Sequence, residues 1–171
     1  MISRGLGNDG SNFQEVNYEG YGPSGIAIFV ETSTDNVTRT VANMRFYFSR
    51  NGGQLGNTGS LQFLFEQKAV FEVLSQGLDS DDFELEMMDA NVEEIEIESD
   101  RFVLYAEKED FGLVQEKLEE MGITPEEASL ERIPTNKKVV DEETFEQVMK
   151  LIDVIEDDTD VVSVYHNIDA D

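Results

Sequence analysis

Arg39, Arg45 and Arg50 fall between Asn36 and Arg50 together with Asn43, Phe46 and Tyr47, in a chain that is otherwise strongly acidic. At about 100° per residue, Arg39 and Arg50 align on the outer face of a helix. Asn43 and Phe46 lie near the same line and Arg45 to one side. A guanidinium forks onto phosphate oxygens and stacks on bases, and an exposed aromatic ring offers a base a platform. The competing reading pairs these arginines with nearby acids and packs Phe46 against another domain. The glycine loop Asn51–Ser60 follows at once, with Gly52, Gly53 and Gly56 placed to turn backbone N–H groups toward phosphate. It lacks the Gly-Lys-Ser/Thr of a P-loop, and it precedes a strand where a dinucleotide fingerprint would follow one. Read structurally, it is a connecting loop that uses left-handed glycines. The nucleic-acid-binding candidates are therefore Arg39, Asn43, Arg45, Phe46, Arg50, Gly52, Gly53 and Gly56.

Catalytic and metal chemistry find no foothold. The single histidine, His166, has no serine or acid at a diagnostic spacing. The acidic runs Asp79–Asp82 and Glu156–Asp160 lack the glycine and terminal glutamate of an EF-hand, and read as helix caps and solvated turns. Cysteine is absent, which excludes disulfides and thiolate chemistry and fits a reducing cytoplasm. Twelve basic against 38 acidic residues give a net charge of −26, which repels phosphate backbones at long range unless a basic patch or a basic partner domain intervenes. No run approaches the roughly 18 apolar residues of a membrane span, and the first residues lack the pattern of a signal peptide.

The elements that must position these residues follow from periodicity. Residues 1–12 are polar and glycine-rich, a flexible lead-in. Gly25–Thr32 reads as a strand, Thr34 or Asp35 as a helix cap, and Val37, Val41, Met44 and Phe48 as the buried stripe of a helix over 36–50. Leu61–Phe65 reads as the next strand. Val70–Leu74, a helix to about Ala90, Val92–Glu98, Arg101–Glu107, a helix carrying Phe111, Val114, Leu118 and Met121, and Ala128–Ile133 then give βαββαβ, the ferredoxin-like order. Gly122 closes that last helix with Ile123 in a Schellman-type contact, and Thr124–Glu127 reads as a short capped turn. Asp141 caps a final helix, and Val161–His166 forms the last strand. These two elements lack sequence neighbours. They imply an insertion, with an outer domain of 13–68 and 137–171 around an inner one of 69–136. The fold class is α+β: two ferredoxin-like α/β sandwich domains, the second inserted into the first.

The string Tyr18-Glu19-Gly20-Tyr21-Gly22-Pro23-x-Gly25, then Glu31-x-x-Thr34-Asp35-Asn36-x-x-Arg39-Thr40, Arg45-x-x-Phe48 and Gly52-Gly53-x-Leu55-Gly56-x-x-Gly59-Ser60, resembles the YebC family. So do Ile133-Pro134, Leu151-Ile152-Asp153-x-Ile155-Glu156-Asp157, Asp160-Val161 and Val164-Tyr165-His166-Asn167. The resemblance spans about residues 13–168. It implies a cytoplasmic, non-enzymatic factor in gene expression. Family members are described as transcriptional regulators that bind DNA, mitochondrial relatives activate translation, and bacterial relatives are tied to ribosomes stalled on proline-rich sequences. The family fold is a basic helical N-terminal domain followed by two α/β domains, the last inserted in the second. Ile2-Ser3-Arg4-Gly5 resembles the tail of that N-terminal domain, so most of the basic domain is expected to be missing here.

Two targets follow: DNA, as the family description has it, or ribosomal RNA and the ribosome, which an acidic body with a small local arginine face accommodates better. No cofactor, metal, membrane or small-molecule substrate is expected.

Overall fold

The computed structural model of the protein describes residues 12–57, 59–61 and 63–169. The expected lead-in over 1–12, apart from Asn12, and the Ile2–Gly5 resemblance lie outside the described residues. The chain divides into two compact units. One runs through Phe65 and resumes at Pro134; the other is Glu66–Ile133.

In the outer unit, strand β1 (Gln14–Tyr21) turns through a short 3-10 segment, Pro23–Gly25, into β2 (Ala27–Thr34). The two pair antiparallel over their whole length, Gln14 opposite Thr34 and Tyr21 opposite Ala27. Helix α1 (Val37–Arg50) follows, capped by Asn36, whose side chain accepts from the Arg39 N–H. The cap thus sits one or two residues beyond the expected Thr34 or Asp35, because Thr34 is buried and its hydroxyl already accepts from the Asn36 N–H. A two-residue strand β3 (Gln54–Leu55) returns beside Gly20 and Tyr21. After the inserted unit, α4 (Glu142–Glu156) and β8 (Val161–His166) complete a sheet of order β3-β1-β2-β8. Asp141 caps α4 as its sequence implies, accepting from the Thr144 N–H at 2.8 Å.

Strand β1 escapes the sequence pattern because Gln14–Tyr21 mixes polar residues with glycine. Its inward face is legible only once β2 is beside it: Tyr18 lies opposite Val30 and packs in a core with Ile26, Ile28, Met44, Phe48, Val148, Leu151 and Ile155. Gly20 and Gly53 are required here by close approach. A Cβ on Gly20 would stand 2.7 Å from the Phe48 ring, and one on Gly53 would overlap the Tyr21 carbonyl. Each buried Leu, Ile or Phe in this layer contributes about 1.5–3 kcal/mol.

The strand expected over Leu61–Phe65 is not formed. Leu61, Phe63 and Leu64 make a turn, with the Leu64 N–H donating to the Leu61 carbonyl. The cause is Glu19. Its carboxylate is buried on the sheet face away from the helices and accepts from the Gly59 N–H at 2.5 Å and the Leu61 N–H at 2.6 Å. That grip seats Leu61 against Ala27, Phe29 and Phe65 and covers the second face of the sheet.

The inner unit is built from β4 (Phe65–Leu74), α2 (Ser80–Asp89), β5 (Val92–Ile97), β6 (Arg101–Glu107), α3 (Phe111–Glu120) and β7 (Glu127–Pro134). Strand order is β5-β6-β4-β7, the ferredoxin-like arrangement, with β4–β6 and β5–β6 antiparallel. Both helices cover one face, where Phe71, Phe83, Met87, Phe102, Leu104, Val114 and Leu118 form the core. The Ile123 N–H donates to the Leu118 carbonyl at 2.8 Å, the bond of a Schellman motif. The capped turn expected over Thr124–Glu127 is not formed: the chain bends at Glu126, whose N–H is taken by the Glu72 carbonyl, and Glu127 already belongs to β7. The two units together form an α+β chain of two four-stranded sheets, each backed by helices.

Two predictions follow from the outer unit. Glu19→Ala strips two buried N–H groups of a charged acceptor and is expected to cost about 3 kcal/mol in urea unfolding, with the far-UV spectrum retained. At the end of β8, His166 Nδ1 accepts from the Ile168 N–H at 3.1 Å, and burial holds the imidazole pKa below its ordinary value. A depressed histidine pKa favours the unfolded chain as protons are added. Stability contributed by neutral His166 is therefore whole above pH ~6.5 and is lost as pH falls toward the folded value. The urea midpoint of the native chain should drop between pH 7 and pH 5 more than that of His166→Gln.

Candidate nucleic-acid interface

Helix α1 presents its arginines in different states. Arg39, in the first turn, faces Asp160 in the turn between α4 and β8. Its Nη2 lies 2.9 Å from Asp160 Oδ1 and 3.0 Å from Asp35 Oδ1, and its Nε donates to Asp160 Oδ2 at 3.3 Å. Asp160 is buried, and it also accepts from the Thr40 hydroxyl at 2.9 Å; Thr40 in turn meets the Thr34 hydroxyl at 2.7 Å. The acids raise the Arg39 pKa further above its ordinary value, chiefly through the Asp160 hydrogen bond. One turn on, Asn43 donates to Asp158 at 3.3 Å, and the Tyr47 hydroxyl donates to the same carboxylate at 2.6 Å. Burial, then the Asp158 bond, pushes the Tyr47 phenol up to about 12.

The acidic run Glu156–Asp160 is thus not only a solvated turn. Asp158 and Asp160 reach across the outer unit to hold α1. Arg39 and Asn43 share a line with Arg50, as their spacing implies, yet both are engaged by carboxylates of the fold itself, although the Arg39 side chain is still 46% exposed. Asp35 is a local partner of Arg39, but the acceptors Asp160 and Asp158 lie more than a hundred residues away in the chain, beyond what sequence spacing pairs. Glu19, Asp158 and Asp160 are the positions that reading missed. The proximity of Asp160-Val161 to the last strand was the available signal.

The glycine loop is also largely spent. The Gly53 N–H donates to the Phe48 carbonyl and the Gly56 N–H to the Glu19 carbonyl, while Glu19 takes the Gly59 and Leu61 N–H groups. Those four groups are turned into the fold, so the expected phosphate cradle is replaced by an internal carboxylate. Gly52, at φ +80°, ends α1 in the left-handed region.

Arg45, Phe46 and Arg50 remain outward. Phe46 is 55% exposed, and the Arg50 guanidinium sits 5.4 Å from its ring centroid. Arg45 and Arg50 form no ion pair among the described residues. With Ser49, Gly53, Gln54 and Leu55, Arg45 and Phe46 line an open groove of about 530 Å³ beside β3. A flat ring, two cations and a few polar groups around a shallow groove suit a planar base and an adjoining phosphate.

The two sets of residues respond differently to substitution. Asp160→Ala, which leaves Arg39 and Thr40 without their common acceptor, should cost about 3 kcal/mol in urea unfolding. Arg39→Ala should lower the midpoint as well. Arg45→Ala and Arg50→Ala should leave it within about 0.5 kcal/mol, as exposed side chains do.

Comparison with known proteins gives a consistent answer. The model of the second and third domain of TACO1/YebC proteins matches residues 13–168. A "Probable transcriptional regulatory protein" of Parabacteroides distasonis is 47% identical over 171 residues, covering 99% of this chain and 70% of that protein. One of Cytophaga hutchinsonii is 48% identical over 166 residues, covering 97% and 70%. The crystal structure of the conserved hypothetical protein Aq1575 from Aquifex aeolicus superposes with a TM-score of 0.84 at 32% identity, covering 95% of this chain and 68% of that one. The chain belongs to the TACO1/YebC family, and its matched residues are that family's second and third domain.

Proposed function

We propose that the chain is a non-enzymatic regulator of gene expression that contacts nucleic acid through Arg45, Phe46 and Arg50. The regulatory part of this reading is supported by the names of relatives in Parabacteroides distasonis, Porphyromonas gingivalis and Cytophaga hutchinsonii, each a probable transcriptional regulatory protein. The nucleic-acid part rests on one observation: an exposed aromatic ring stacked by one arginine and flanked by another, in a chain of net charge −26.

That geometry favours an unstacked strand over a duplex. Duplex DNA carries one charge per roughly 1.7 Å of axis and asks for a broad basic face. Two free guanidiniums on one helix do not supply that. One splayed base on Phe46, with its phosphate on Arg45, needs little area and is worth about 1–3 kcal/mol per stacked base. Ribosomal RNA, rich in loops and bulges, offers such bases. DNA is the second reading, favoured by the relatives' transcriptional names. No helix among the described residues is long and apolar enough to cross a membrane, and a cytoplasmic site of action is part of the proposal.

The test is fluorescence anisotropy with a single-stranded RNA, the same sequence as single-stranded DNA, and a duplex, together with co-sedimentation with ribosomes. The single strand should bind more tightly than the duplex. The Arg45→Glu/Arg50→Glu double variant should lose at least tenfold in affinity with its unfolding midpoint unchanged. Equal affinity in the double variant would remove this face from the mechanism. Duplex binding that exceeds single-strand binding would favour DNA.

A further inference from the structure

Away from the arginine helix, the inner unit carries its own unassigned surface. It holds 22 of the 38 acidic residues and 5 of the 12 basic ones. Helices α2 and α3 concentrate that charge: Asp81, Asp82, Glu84, Glu86 and Asp89 on the first, Glu116, Glu119 and Glu120 on the second, against one lysine. That lysine, Lys117, is already taken by Glu86 at 2.7 Å. Crowding is left unrelieved at the start of α2, where Asp79 raises the pKa of Asp82.

Charge alone would make this a solubilising face. The apolar residues argue otherwise. Leu85 is 64% exposed, Met88 66% and Leu113 43%, on helices that elsewhere send Phe83, Met87, Val114 and Leu118 into the core. Leu85, Met88 and Asp89 share one side of α2 by their three- and four-residue spacing. On α3, Leu113, Glu116, Lys117 and Glu120 form a single line by the same spacing. Asp89, Ala90, Leu113, Glu116, Lys117 and Glu120 line a groove of about 200 Å³ between the helices. Ala90 and Leu113 give it apolar lining, and Asp89, Glu116 and Glu120 give it carboxylates around the paired Lys117. The exposed Leu85 and Met88 neighbour Asp89 on the outer face of α2 by helical spacing.

We infer that this groove docks a basic amphipathic helix of a partner protein, whose apolar stripe lies on Leu85, Met88 and Leu113 while its lysines and arginines meet Asp89, Glu116 and Glu120. Charge complementarity selects this occupant. A nucleic acid would be repelled by eight carboxylates, and a second copy of the chain would set acid against acid. Helix-in-groove docking asks for two or three apolar anchors with charges around them, which Leu113 in the groove and Leu85 and Met88 on the outer face of α2 supply together. The surface lies in the inner unit and shares no residue with Arg45, Phe46 and Arg50 of the outer unit.

The probe is a dye-labelled peptide of leucine and lysine about four turns long, with its leucines on one helical face. Its control has the same composition with the leucines scattered. At about 0.15 M salt, where long-range attraction is screened, the amphipathic peptide should bind at least tenfold more tightly than the control. Leu85→Ser/Met88→Ser should abolish that difference while the unfolding midpoint holds, since both side chains are exposed. Leu113→Ser should act in the same direction. Equal binding of the two peptides, or an unchanged preference in the double variant, would overturn the proposal and leave only diffuse charge attraction. Self-association of the native chain in sedimentation that Leu85→Ser/Met88→Ser breaks would overturn it in favour of a second copy.

Discussion

The outer unit depends on the Asp160 carboxylate, a buried charge that a fold can tolerate only when it is fully paired. Asp160 sits at the turn between α4 and β8 and collects the Arg39 guanidinium and the Thr40 hydroxyl, with Thr34 beside them at the end of β2. One group thereby fixes three elements that are distant in sequence: the end of a central strand, the first turn of α1 and the entry to an edge strand. Removing Arg39 would leave the buried Asp160 carboxylate without its cation. Asp158 repeats the device a turn further along α1 through Asn43 and Tyr47. The orientation of α1, and so the direction in which Arg45, Phe46 and Arg50 project, follows from these two carboxylates.

A second buried acid shapes the other side of the same sheet. Glu19 draws the chain after β3 into a turn by holding the Gly59 and Leu61 N–H groups. The Leu64 carbonyl in that turn then accepts from the Thr135 N–H, so the outgoing and returning segments at the edge of the outer unit are tied to each other. The glycines here serve close packing, as Gly53 against the Tyr21 carbonyl demonstrates. In a chain so rich in acid, two classes of carboxylate coexist. A few are buried and organise the fold, and the majority are solvated and set the electrostatic character of the surface.

The division matters for function. Helix α1 carries three arginines, but one of them is structural, and the outward cationic surface is smaller than the residue count implies. A small patch with an aromatic ring suits local recognition of an unstacked base, whereas a large field would suit wrapping of a duplex. The inner unit, with the same layered architecture, turns an acidic and partly apolar pair of helices outward. The two units therefore differ in surface chemistry far more than in fold.

Much of this was legible in the residues. Regular periodicity placed α1, α2, α3, α4, β6 and β8 within a residue or two, because each buries one face and repeats its apolar residues at 3.6 or at 2. The ferredoxin-like order of the inner unit followed from the sequence of those elements. Strand β1 and the 61–65 turn were not legible, since one is polar with glycine and the other is apolar like a strand. Pairing with β2 decided the first, and Glu19, whose partners lie 40 and 42 residues away, decided the second. The arginines were identifiable by type and helical phase, and so was Phe46. Which of them is free was set by Asp158 and Asp160, more than 110 residues distant in the chain. Local periodicity and residue motifs are properties of the sequence alone: the periodicity marked most of the elements, and the motifs carried the resemblance to the family, with the candidate residues following from type and helical phase. The pairing of buried charges depends on which groups the folded chain brings within hydrogen-bond reach, and only the tertiary structure decided it.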